Sequence, residues 1–313
     1  MKMGHGHVML TLVFGLGLAT LSTALDLNDF DQAELDAVVV PGIPPVTGGS
    51  CFKYTYRNSL LFNYCGLNLA FMVNIRKGLW KEHGNGIYLY SMIEEFIEKI
   101  ARRMDIGIQA SKNLVGVVVY FKFPRKEFGL KMFTDIDTLI NNGIRKIDFA
   151  NGGERSYPFK AMSYIYSNES FFSYGNRYEP RLRNRNAVIV LDDGILKVSN
   201  NARRIKLKTQ SDKLKGISTV FVIGLRNQTL DLDAYDNGGL DIKDRIRIDN
   251  WITMSAPLGS MENPEVRREN IITTSLWSYK DYLLDSLVDK VMERLNEIST
   301  CEYLTGEDPG ECV

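Results

Sequence analysis

The chain has 313 residues, 44% of them hydrophobic and 24% charged, with 38 basic and 38 acidic side chains and a formal net charge of zero. That length holds one large domain or two small ones, and the charge balance gives the chain as a whole no case for nucleic acid or a membrane surface. Only three histidines occur, two of them near the start at His5 and His7, which argues against a histidine-based triad or a multi-histidine metal site. His83, beside Gly84, reads as a loop residue, and the basic runs at Arg181–Arg185 and Arg203-Arg204 read as solvated faces.

The first residues read as a leader. Lys2 precedes an apolar run from Val8 to Leu21, and Ser22-Thr23-Ala24 supplies small residues for cleavage, so residues 1–24 are expected to be a secretory signal peptide. The run is short for a membrane span. Residues 25–64 form an acidic, Pro- and Gly-containing extension, with Asp26, Asp29, Asp31, Glu34 and Asp36 ahead of Pro41, Pro44 and Pro45. It reads as an extended arm or a propeptide, with an aromatic hairpin over Cys51–Asn63. Export gives the four cysteines meaning. Cys51, Cys65, Cys301 and Cys312 flank the middle of the chain, and an even number in an oxidising compartment predicts two disulfides with three possible connectivities. Asn168-Glu-Ser170 and Asn227-Gln-Thr229 are glycosylation sequons.

From Cys65 the pattern becomes regular. Leu67–Val73 is a nearly continuous apolar run, as in a strand buried on both faces. Leu89–Arg103 has apolar residues at helical spacing, Leu114–Phe121 is a strand, and Glu127–Phe133 is expected to pair with it. Helices are predicted over Asp135–Ile144 and Pro158–Tyr166, a buried strand over Ala187–Leu191, a helix over Ala202–Leu214 and a strand over Ser218–Ile223. Asp231–Asp244 reads as an acidic loop, a solvated insertion rather than a calcium site because Tyr235 falls where an EF-hand needs a ligand. Ile271–Thr274 is the last strand and Tyr279–Ile298 a long amphipathic helix. The alternation predicts an α/β fold with a mostly parallel sheet between helices. The aromatic group Tyr164, Tyr166, Phe171, Phe172 and Tyr174 reads as core and loop packing.

The order of these pieces resembles a von Willebrand factor type A domain over Cys65–Cys301, with a short tail at 302–313. LNLAFMVNIRKG stands where that family has a strand followed by Asp-x-Ser-x-Ser; SMIEEFIEKIARRMDIG, LVGVVVYF and EFGL follow as its first helix and next strands. Gly152-Gly153 before SYPFKAM resembles its Gly-Gly-x-Thr turn, and AVIVLDDG its Leu-x-Asp-Gly strand end. The resemblance implies a Rossmann-like three-layer sandwich with one antiparallel edge strand. It also implies a divalent-metal adhesion site at the carboxyl edge of the sheet. Here the site departs from the family: Asn74 replaces the aspartate, Arg76 and Gly78 replace the two serines, Ser156 is the nearest match to the threonine, and only Asp193 is intact. Few oxygen ligands remain, and an arginine beside a divalent ion is electrostatically costly, so no metal and no other cofactor is expected. Three readings of the cations stay open. Arg76 pairs with Asp193 in the metal's stead, or Arg76 or Lys77 takes a partner's carboxylate, or both are solvated charges on a degenerate loop. In that fold the domain ends lie close together, which favours Cys65–Cys301 and leaves Cys51–Cys312, with Cys51–Cys65 the runner-up.

The expected function is non-enzymatic: a secreted matrix or adhesion protein whose top-edge residues Asn74, Arg76, Lys77, Gly78, Ser156 and Asp193 bind another extracellular protein. Collagen, another fibrous matrix protein or a matrix polysaccharide are the partners the resemblance implies. A structural protein acting by self-association is the rival. An exported enzyme is the weaker one, since no Gly-x-Ser-x-Gly elbow, dinucleotide fingerprint or histidine set is present.

Overall fold

The central strand carries the architecture. All eight residues of β1 (Leu67–Asn74) are buried, and the strand hydrogen-bonds in parallel on both sides. The structure, a computed structural model, describes residues 66–82, 86–108, 112–172, 185–196, 201–226, 230–260, 263–274 and 281–299. The leader at 1–24, the extension at 25–64, all four cysteines, His83, Asn227 and the tail lie outside the described residues.

The other strands are β2 (Leu114–Tyr120), β3 (Pro124–Phe128), β4 (Arg185–Asp192), β5 (Thr219–Gly224) and β6 (Ile271–Ile272), in the sheet order β3-β2-β1-β4-β5-β6. Among these strands only β3 is antiparallel, at one edge. The helices are α1 (Lys77–Glu82), α2 (Gly86–Arg103), α3 (Ile136–Thr138), α4 (Pro158–Ser167), α5 (Asn201–Lys215), α6 (Leu232–Asp236), α7 (Ile242–Ser255), α8 (Pro264–Arg268) and α9 (Asp281–Ser299). This is a three-layer, Rossmann-like sandwich with a mostly parallel sheet, as the alternation predicts.

Period-two alternation divides the core into two halves. Leu69, Phe71 and Val73 of β1 face the layer of α2 and α9, where Phe96, Ile97, Ile100, Leu287 and Val291 meet them. Ala70 and Met72 face the layer of α4, α5 and α7, built from Met162, Ile165, Leu207, Ile248 and Trp251. Phe171 and Phe172 are buried in this second half and Tyr164 and Tyr166 pack on it, in line with their reading as core.

Four boundaries differ from the sequence expectation. The edge strand covers Pro124–Phe128, not Glu127–Phe133. It ends where Gly129 packs against Ser170, whose carbonyl accepts the Leu130 N–H at 3.0 Å and so draws the chain off the ladder. The turn after β1 winds into the short helix α1 instead of staying a loop. The helix predicted over Asp135–Ile144 is present, but Leu139–Gly143 widens into a π turn and Ile144–Lys146 tightens into a 3₁₀ turn. The acidic stretch Asp231–Asp244 is mostly helical. Asp231 caps α6 by accepting from Asp233 N and Ala234 N, and Asp241 caps α7 by accepting from Asp244 N. Asp233, Asp236 and Asp244 pair with Arg268, Arg267 and Arg226. These carboxylates are therefore cap and ion-pair residues.

Phe71 sits at the sheet centre, edge-on to Phe96 with ring centroids 6.3 Å apart. Phe71→Ala is expected to cost about 3–5 kcal/mol, read as a lower urea midpoint at unchanged denaturant slope.

Candidate functional site

Register and strand parity place a polar row at the carboxyl edge of the sheet. Asn74 pairs with Tyr120 across β1 and β2, and Val73 pairs with Leu191, so Asn74 and Asp192 end neighbouring strands. By alternation all three point to the face that carries Ala70, Met72, Val118, Val188 and Val190. Ser156, just ahead of α4, closes the row from that face and is buried.

One amide ties the row together. Asn74 Nδ2 donates to Asp192 Oδ2 at 2.8 Å, to Asp193 Oδ1 at 3.1 Å and to Ser156 Oγ at 3.2 Å. Its Oδ1 accepts the Arg76 backbone N–H at 3.0 Å and so fixes the chain as it leaves the strand. Asp192 accepts from Tyr120 Oη and from the Gly194 N–H, and Asp193 from the Ile195 N–H. Gly194 adopts φ +70°, and a Cβ there would overlap Arg247, so the position favours glycine. Gly152 packs so closely on the Ile75 carbonyl that a methyl group there would overlap it, while the Gly153 carbonyl accepts the Lys77 N–H at 2.8 Å.

Two buried carboxylates at one edge need a counter-charge, and Arg76 supplies it. Its Nε donates to Asp193 Oδ2 at 3.0 Å and its Nη2 meets the same oxygen. The guanidinium side chain is 12% exposed and the carboxylate fully buried. The arginine reaches Asp193 by lying across Gly78; a Cβ at position 78 would overlap Nη1. The residues at 76 and 78 are therefore sterically matched. Lys77 between them is exposed.

Burial, with the charge of Asp193 added, pushes the Asp192 carboxyl up to about 6, against the bonds from Tyr120, Gly194 and Asn74. Burial and the two carboxylates hold the Tyr120 phenol well above its ordinary value, so it remains a donor. The oxygens of the row already accept from an amide, a phenol, backbone N–H groups and a guanidinium, a donor-rich lining that suits a fixed cation better than a hard divalent ion. Among the described residues no group of three or more His, Cys, Asp or Glu side chains could hold a metal.

The structure thus brings together all six residues expected at the top edge, Asn74, Arg76, Lys77, Gly78, Ser156 and Asp193. Asn168 lies apart at the end of α4, half-buried, its Oδ1 accepting from Ser170 N. Sequence reasoning misses Tyr120 and Asp192 as site residues. Their signal is a polar residue at the last position of an otherwise apolar strand.

Arg76 and Gly78 should be energetically coupled. In the wild type, Gly78→Ala displaces Arg76 and destabilises by about 1–3 kcal/mol; in an Arg76→Ala background the same change is neutral or slightly favourable, because alanine suits α1. A double-mutant cycle by urea denaturation measures that coupling. The polar row also makes stability depend on pH. The raised Asp192 carboxyl has the native state holding a proton that the unfolded chain releases near 3.8. Its contribution therefore favours the fold below about pH 4 and is lost as pH rises through about 6. Tyr120→Phe removes a bond that lowers this value, so its stability deficit is expected to be larger at pH 8 than at pH 5, read by denaturation at both.

Residues 88–235 match the family model of the von Willebrand factor type A domain. Integrin alpha-2 of Bos taurus is 30% identical over 83 residues, which is 26% of this chain and 7% of the integrin. Proximal thread matrix protein 1 from the mussel byssus has a similar fold, with a TM-score of 0.51 at 16% identity over 74% of this chain and 47% of that one. A second structure of that protein, with a zinc-occupied MIDAS motif, gives a TM-score of 0.50 at 16% identity, over 74% of this chain and 47% of that one. This chain thus spans about half the length of the byssus protein and a small part of the integrin. The match to that family thus covers residues 88–235, and the sheet and flanking helices have the von Willebrand factor type A fold.

Proposed function

We propose that this is a secreted extracellular-matrix or adhesion protein. It binds another extracellular protein, collagen or a comparable matrix component, through the carboxyl edge of its sheet and without a metal ion. The observation that carries the reading is the guanidinium of Arg76 seated on Asp193 across Gly78. In this reading the edge is a degenerate form of the family's metal-ion adhesion site. The Arg76 side chain fills the space that serine hydroxyls and a metal would share, and Asn74 turns an N–H, not a carboxylate, toward the centre. A fixed positive charge then stands where the family presents a bound cation.

The likeness to integrin alpha-2 and to a byssus matrix protein supports the adhesion or matrix role. No helix among the described residues is long and apolar enough to cross a membrane. Export through the leader at 1–24, disulfides Cys65–Cys301 and Cys51–Cys312, and glycosylation at Asn168 and Asn227 belong to the same reading, as does a non-catalytic role. Exposed Lys77, beside the seated arginine, is the group placed to meet a partner's carboxylate.

The test is binding of the full chain to immobilised collagen with magnesium present and with EDTA. Equal affinity in both, and about a tenfold loss for Lys77→Ala, is the expected result. Binding abolished by EDTA, or no binding at all, overturns the proposal.

A further inference from the structure

The neutral total charge conceals a division across the sheet. Of the residues in α5, six are Lys or Arg and only Asp212 is acidic; α9, on the opposite layer, carries five acidic residues against Lys290 and Arg294. Asp212 is taken up by Lys208 at 2.5 Å and Lys215 at 3.1 Å, both on the flank toward α7, where Lys215 also donates to the Thr253 carbonyl. The other flank has Arg203, Lys206 and Lys213, the last two lying three and ten residues beyond the first, hence a stripe of about 15 Å. Lys206 and Lys213 are exposed.

This stripe runs onto an aromatic cluster at the start of α4. The Arg203 guanidinium lies over the Tyr157 ring at 4.9 Å, and Lys160 Nζ stands 5.4 Å from that ring and 4.4 Å from Phe123. Lys122 Nζ lies 5.1 Å from the same Phe123 ring. Phe123 is 52% exposed, an unusual position for a phenylalanine, with two ammonium groups beside its ring. α4 itself contains no acidic residue. Burial pushes the Tyr157 phenol up, but Arg155, Arg203 and Lys160 more than reverse this and leave it below its ordinary value, a second sign of the local positive field.

We propose that the face made by Lys122, Phe123, Lys160, Arg203, Lys206 and Lys213 binds a linear sulfated polysaccharide. The cations are long side chains, those of α5 spaced along one flank of the helix, which suits a polymer with anions repeated on its outside. The exposed phenyl ring offers an apolar face to a pyranose. Single-stranded nucleic acid is fitted less well, since it is held by successive stacking platforms and this face presents one exposed ring. An acidic peptide would look for backbone partners, which side chains on a helix flank do not offer. The surface adjoins the Arg76 edge through Ser156-Tyr157 but shares none of its residues, and it relies on the preceding proposal only for the extracellular setting.

The experiment uses the full chain and heparin as probe, with desulfated heparin of equal length as comparison, by surface plasmon resonance at several salt concentrations. Saturable binding is expected, weakened by about tenfold on moving from low to physiological salt and by at least about tenfold on desulfation. Lys122→Gln/Lys206→Gln/Lys213→Gln is expected to lose about tenfold, and Phe123→Ala several-fold at unchanged salt dependence. These positions are exposed, and an unchanged melting curve verifies the fold of each variant. The proposal is overturned if heparin does not bind, if the triple variant binds it as the wild type does, if desulfated heparin binds equally, or if an oligothymidylate binds more tightly. Concentration-dependent mass that the triple variant abolishes, without heparin binding, overturns it in favour of self-association. Because the triple variant retains Arg76 and Lys77, collagen binding measured on it separates failure at this face from failure at the sheet edge.

Discussion

The edge of this sheet depends on one ion pair. Asp192 and Asp193 are adjacent and buried, and the Arg76 guanidinium is set against Asp193. Charges taken out of water cost several kcal/mol each unless they are paired and their remaining lone pairs used, and here both conditions are met by Arg76, Asn74, Tyr120 and backbone N–H groups. The pair in turn constrains sequence: as seated on Asp193, the Arg76 guanidinium occupies the space that a Cβ at position 78 would take. Under the proposed function, that arrangement turns a site for an exchangeable ion into a permanent feature of the protein. On that proposal the edge is expected to be insensitive to chelation.

Much of the fold is legible because the chain says the same thing at two levels. The continuous apolar runs of β1, β2 and β4 can be satisfied only by burial on both faces, and α2 and α9 show a clear apolar stripe. The misread parts are those where local chemistry outweighs pattern. The acidic residues at Asp231 and Asp241 are polar enough to look like a loop, yet their carboxylates cap helices. The end of β3 is set by Ser170, some forty residues later, which no local pattern reveals.

The site shows the same limit. The replacements at Asn74, Arg76 and Gly78 stand out against the resemblance, and a cation opposite Asp193 is a natural reading of them. Tyr120 and Asp192 enter only with the register, because their meeting is a property of how β2, β1 and β4 align. Charge is similarly hidden. Arg203-Arg204 looks balanced when counted along the chain, but the balancing acids lie in part on the opposite layer of the sandwich. Net charge is a statement about the molecule; a binding face depends on how that charge is distributed.

The most direct measurement is calorimetric titration of magnesium, then manganese, into the purified protein at neutral pH. No saturable heat is expected for the wild type, because Arg76 already holds the carboxylate that a metal would need. Stoichiometric, saturable binding that is lost on Asp193→Ala would contradict a metal-free edge and would mean that the arginine moves aside for an ion.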